Sequence, residues 1–293
     1  MLMSQLLRSE SFRSWLMLTP ALALIGLLFV GGVFVGLGQS LDYMPIIGLE
    51  TPTARHYLNI LADPDFYTSL VLTLYIALTS TLLAMVFAIA VALLLRRHFM
   101  GSRIVTFIFQ LPLPVPHLVA AAGMVLLLTQ SGLLARLAYQ VGLLERPNQF
   151  PVLVFDRWQV ATILVYLWKE IPFIGLVVLA TLKGIGQEYE EIAQTLGANR
   201  WQRFRHVLLP LLMPGLITTG IIVFAYVFGS FEIPLLLGQR YPNVLPVTAY
   251  RAYINPDLNQ RPESMAMGMM ITVIIILLLN LALRFSRRIR QEV

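Results

Sequence analysis

Residues 183–213 read KGIGQEYEEIAQTLGANRWQRFRHVLLPLLM, a charged island with long apolar runs on either side. Tyr189, Ile192, Ala193 and Leu196 fall at i, i+3, i+4 and i+7, which puts them on one face of a short helix. Glu188, Glu190 and Glu191 stand in its first turns, where the helix dipole favours acids. Gly197 follows, the residue suited to a left-handed C-terminal cap. Asn199, with Gln202 three residues on, has the form of a capping box that opens a second helix. That helix carries Trp201, Phe204 and Leu208 on an apolar face and Arg200, Arg203 and Arg205 on a basic one. Pro210 and Pro214 are expected to end it and lead into the next apolar run. Two short helices meeting at a glycine turn either lie on an anionic lipid surface or dock a soluble partner.

Outward from this island, six stretches are long and apolar enough to cross a bilayer, which takes about 20 residues. They run approximately 15–38, 70–95, 104–128, 160–182, 214–237 and 266–285. The composition agrees: 58% hydrophobic and only 12% charged among 293 residues, with a mean hydropathy of +0.76. A soluble domain carries roughly 25% charged residues, and a disordered chain is apolar-poor. The first stretch follows Arg8 and Arg13 as a signal peptide would, but its apolar run is too long, so it reads as a retained helix. Pro112, Pro114 and Pro116 are expected to kink the third stretch or make it start irregularly.

The net charge of +6 reflects orientation rather than nucleic-acid binding. The N-terminus, the 96–103 loop, the 183–213 loop and the tail hold 13 Lys and Arg, against 7 in the longer alternate loops. Both termini are therefore expected in the cytoplasm.

The absences narrow the chemistry. With no cysteine there is no disulfide framework and no Cys-ligated metal. The two lysines follow Trp168 and Leu182, so no Walker A motif exists and any ATP must be hydrolysed by a partner. No His-Glu-x-x-His or Gly-x-Ser-x-Gly is present, and His56, His98, His117 and His206 are scattered.

Charges within the apolar stretches are costly and so are candidates for function. They are Lys169 and Glu170, near the middle of the fourth stretch, and Glu232, toward the outer end of the fifth. The alternative for the first two is a purely structural role between helices. His117 reads as a helix-packing histidine.

The island carries a family resemblance. Glu191-Ile192-Ala193, three residues, Gly197, nine residues, Val207-Leu208-Leu209-Pro210 resembles the EAA loop of binding-protein-dependent ABC importer permeases, whose pattern is Glu-Ala-Ala, three residues, Gly, nine residues, Ile-x-Leu-Pro. Ile192 and Val207 are the departures. The wording of Asp63-Pro64, Ser69–Thr73 and Gly229–Gly238 is similar to the polyamine, ferric-ion, phosphonate and thiamine permease group.

The resemblance implies an all-α membrane protein of six transmembrane helices with the type I, MetI-like permease fold. Residues 70–285 would form the core, 1–69 an added first helix with its outer loop, and 286–293 a basic tail. It implies a bacterial inner-membrane permease subunit, not an enzyme, importing a polyamine or another small solute of that group. Implied partners are a second related permease, two cytoplasmic ATPases that use ATP and Mg, and an extracytoplasmic solute-binding protein; this chain would bind no cofactor. Glu191, Ala193, Gly197, Ala198, Asn199, Arg200 and Pro210 would form the ATPase-coupling element. Lys169, Glu170 and Glu232 would line the path. The rival reading is a secondary transporter driven by an ion gradient, which favours ionisable groups near the bilayer midplane.

Overall fold

A computed structural model describes residues 10–96, 99–185 and 188–291, with the backbone alone for 10–13 and 285–291. Arg8, His98 and the side chains of the basic tail lie outside the described residues.

The regular elements are helical: α1 (Glu10–Ser40), α2 (Arg55–Ala62), α3 (Pro64–Leu95), α4 (Ser102–Gln110), α5 (His117–Leu128), α6 (Leu133–Gln140), α7 (Val160–Ile185), α8 (Glu188–Thr195), α9 (Arg200–Arg203), α10 (Leu209–Gly229), α11 (Glu232–Leu237), α12 (Leu245–Tyr253) and α13 (Arg261–Gln291). Among the described residues, six segments have the length and composition of membrane spans: 14–40, 64–95, 117–140, 160–185, 200–229 and 258–284.

Boundaries of four spans differ from the sequence reading, the third lying at 117–140 rather than 104–128 and the sixth starting at 258 rather than 266. The second span starts at Pro64, because Asp63 caps it by accepting the amide of Asp65, so 69–73 lies inside the helix. The third stretch is two helices, α4 and α5, separated at 111–116. Pro116 has no N–H for the Pro112 carbonyl, so one continuous helix is not available there. The fifth span starts at Arg200 and stops at Gly229. Pro210 and Pro214 do not end the second short helix: a π-helical turn, Phe204–Leu208, carries it into α10. The Leu209 amide bonds back to the Phe204 carbonyl, one residue further than in an α-helix. That wider turn spaces the backbone for a proline that brings no donor.

The chain divides into two compact units. One comprises residues 1–62 and 251–270. In it the Gly36 backbone approaches Met269 so closely that a Cβ would lie 3.1 Å from its Cε. Asp42, buried with φ +66°, accepts from Arg55 Nε at 2.7 Å and contacts His56 Nε2 at 2.9 Å, tying the loop after α1 to α2.

The other unit, residues 63–250 and 271–293, holds α3 against α7 with α10 packed on both, and α11 beside α5. The buried stripe of α3 includes Ser80, Ala84, Ala88 and Ala92 at four-residue spacing. Without apolar hydration to drive association in lipid, small residues at this spacing let backbones close to van der Waals contact. Gly175 of α7 and Gly220 of α10 serve the same end. A Cβ on the first would sit 2.7 Å from the Phe109 ring, and on the second 2.7 Å from Met85 Sδ. Thr73 Oγ1 donates to the Ser69 carbonyl and accepts the Leu245 amide at 3.0 Å, which pins the start of α12 to α3.

Candidate functional site

The 183–213 segment is a helix pair fixed at its corner. Gly197 has φ +84°, a region that costs an L side chain and that glycine enters freely. Its amide bonds to the Gln194 carbonyl and that of Ala198 to the Ala193 carbonyl, both at 3.0 Å. This is the Schellman arrangement, which satisfies the last carbonyls of α8. Asn199 and Gln202 then exchange bonds at 2.9 and 2.8 Å, the reciprocal capping box. Arg203 donates to Gln194 at 2.7 Å and bridges the two helices. Glu191 and Arg200 are exposed, and Pro210 opens α10. Tyr189, Ile192, Leu196 and Trp201 are also exposed, from 54% for Tyr189 to 83% for Leu196, so the apolar face is uncovered.

Sequence reasoning missed the partner of Glu190. Arg96, the residue that caps α3, pairs with its carboxylate across 94 positions of chain. No local pattern announces such a contact.

Lys169, 5% exposed, sits in α7 beside the break between α4 and α5. Its ammonium donates to the carbonyls of Pro112 at 2.7 Å, Leu113 at 3.2 Å and Val115 at 2.6 Å. An ammonium has three donors, and all three go to the main chain that the prolines left short of N–H groups. Glu170 points elsewhere, with a long 3.5 Å contact to His117 Nε2. The His117 ring also packs on Tyr226, 4.7 Å between centroids. Glu232 opens the separate helix α11, where its carboxylate accepts from Ser230 Oγ at 2.8 Å. Sequence order thus put Lys169 and Glu170 together, but their contacts diverge. Outside the spans, Tyr241 donates to Asp65 at 2.6 Å, and that bond to a carboxylate holds its phenol above the usual tyrosine range.

Six spans among the described residues, a helix break locked by a lysine and an exposed, capped helix pair define a helical membrane protein. The chain belongs to the family described as "Binding-protein-dependent transport system inner membrane component", whose profile matches residues 84–291. It is thus a multi-pass inner-membrane permease component of a binding-protein-dependent ABC importer, and not the ATPase of that system.

Among its relatives is the sulfate transport system permease protein CysT of Salmonella typhimurium, 27% identical over 273 residues, covering 88% of this chain and 95% of the relative. The molybdenum transport system permease protein ModB of Haemophilus influenzae is 26% identical over 226 residues, covering 75% and 95%. The fold is shared with a chain of a bacterial ABC transporter involved in the import of the acidic polysaccharide alginate, with a TM-score of 0.81 at 22% identity and 98% of both chains covered.

Proposed function

We propose that this permease forms one side of a solute pathway and receives its drive through the 183–213 element. The observation that carries the reading is a doubly capped helix pair presenting Tyr189, Ile192, Leu196 and Trp201 outward. An apolar face left exposed among the described residues, on a helix pair held at its corner, suits the groove of a soluble ATPase. Glu191, Ala193, Gly197, Ala198, Asn199, Arg200 and Pro210 belong to that pair and its joint to α10. Both termini and this element lie in the cytoplasm, supported by the basic asymmetry of the loops. The full assembly pairs this chain with a related permease, two ATPases and an extracytoplasmic binding protein. ATP and Mg are bound by the ATPases alone. Residues 70–285 act as the core, with 1–69 and 286–293 as additions. Closure of the ATPases shifts the population between inward-open and outward-open states through differential contacts.

Glu170 and Glu232 serve the path, and Lys169 positions the break beside it. The ion-gradient alternative loses support here, since the three donors of Lys169 are engaged by carbonyls. The polyamine assignment has no support in the relatives above. Their sulfate and molybdenum names support a tetrahedral oxyanion, to be checked by uptake of labelled sulfate with molybdate as competitor.

Gly197→Val tests the coupling role. A Cβ there meets nothing within 4 Å, so the change acts through backbone strain alone. The variant is expected to reach the membrane at wild-type level, co-purify poorly with the ATPase and lose uptake in proteoliposomes. Wild-type association together with wild-type uptake would refute the reading. If the helix pair merely lay on lipid, neutralising Arg200, Arg203 and Arg205 would matter more.

A further inference from the structure

We infer that the basic cavity at the Arg96 end of α3 binds the phosphate of an anionic phospholipid, with an acyl chain in the apolar groove beside it. The cavity has a volume of about 400 Å³ and is lined by Arg96, Arg103 and Lys183. Ser102, Thr106 and Gln110 add hydroxyl and amide groups to the wall, and Leu95 and Phe107 add apolar surface. No carboxylate lines it among the described residues. Arg96 already holds Glu190, so its charge is partly spent. Arg103 and Lys183 are exposed. The first turn of α4 borders the cavity, and its cap, Gly101, brings no side chain, so the positive end of a nine-residue helix adds to the field.

The second observation separates a lipid from a soluble anion. A groove of about 310 Å³, lined by Phe107, Gln110, Leu111, Leu113 and Pro114, adjoins the cavity. Phe107 and Gln110 line both, so the polar and apolar spaces lie side by side. A free phosphate or sulfate uses only the basic half. A phospholipid, anionic at one end and hydrocarbon beyond, uses both. Basic pockets between spans on the cytoplasmic side are the usual setting for such headgroups. Because Arg96 belongs both to this cavity and to the Glu190 pair, a bound headgroup would stiffen the end of α3 where it meets α8.

The test uses the complete purified transporter and native mass spectrometry, with phosphatidylglycerol and phosphatidylcholine as probes. At about 1 kcal/mol for each basic residue near the headgroup, the double variant Arg103→Gln/Lys183→Gln should hold phosphatidylglycerol about thirtyfold more weakly. Phosphatidylcholine retention should not change. Arg103→Lys keeps the charge and should keep the lipid. Leu111→Trp obstructs the groove, and should weaken phosphatidylglycerol while leaving binding of inorganic phosphate unchanged. Wild-type retention in the double variant overturns the inference. So does displacement of the lipid from the wild-type transporter by millimolar inorganic phosphate, which would assign the cavity to a soluble anion.

Discussion

Lys169→Met keeps the length and the apolar stem of the side chain and removes only the ammonium. The structure gives the cost. Three hydrogen bonds, at 2.6, 2.7 and 3.2 Å, vanish together, and they end on carbonyls of a segment where prolines removed the usual donors. Interhelical hydrogen bonds between membrane spans average about 0.6 kcal/mol and reach about 1.7. A charged donor sits toward the upper end. The Pro112 carbonyl keeps a weaker partner in the Val115 amide at 3.3 Å, which trims the loss. The sum is about 2–4 kcal/mol, against which methionine recovers part by sparing a buried charge its desolvation. A net destabilisation of about 1–3 kcal/mol is expected, concentrated at the α4–α5 break. The assay is thermal unfolding of the detergent-purified permease followed by size exclusion, with hydrogen exchange localising the loosened segment to 111–116. A lysine that instead served as a solute ligand would leave unfolding unchanged and raise only the KM of uptake. Wild-type melting and wild-type exchange in Lys169→Met would therefore refute the clamp.

Three further outcomes follow from the same geometry. Arg96→Glu or Glu190→Arg alone should lower uptake per ATP hydrolysed while ATPase binding persists, and the double charge swap should restore much of the ratio; absence of rescue would deny the pair a part in transmission. Asn199→Cys should resist an impermeant thiol reagent applied outside intact cells while Asn259→Cys reacts, and the reverse pattern would invert the proposed topology. Glu232→Gln keeps the Ser230 contact within reach of the amide oxygen and removes a charge that repels an oxyanion and so would act in closing the outer gate rather than in holding solute; assembly should stay normal and uptake fall severalfold through the lost gate, and unchanged uptake across solute concentrations would remove Glu232 from the path.

What the sequence made legible has a physical pattern. The six spans follow from apolar length, a property of contiguous residues. The Gly197 corner and the Asn199–Gln202 box are equally local, since each is closed by groups within five residues. The proline cluster announced that the third stretch would not be a simple helix, but not that the chain would form two helices there. The far side of each contact stayed hidden. Nothing near Lys169 says that its acceptors lie more than fifty residues away, and nothing near Glu190 points to Arg96. His117 illustrates the same limit: its neighbours read as packing, and only the fold sets it beside Glu170 and Tyr226. Pro210 misled for a different reason. A proline ends a helix when its ring meets an α-helical turn, and here the turn before it is wider.

That continuity has a consequence for how the chain tolerates change. Residues 200–229 form one unbroken rod of 30 residues, about 45 Å long at the usual rise. A residue added to such a rod turns its two ends relative to each other by about 100°, unless a further wide turn takes it up. A single-residue insertion between Asn199 and Pro210 would therefore swing Tyr226 away from His117, although it lies far from both. The count of residues between Gly197 and Pro210 is then a matter of angular phase: the corner and the His117–Tyr226 cluster are two marks on one shaft, and their spacing keeps them aligned.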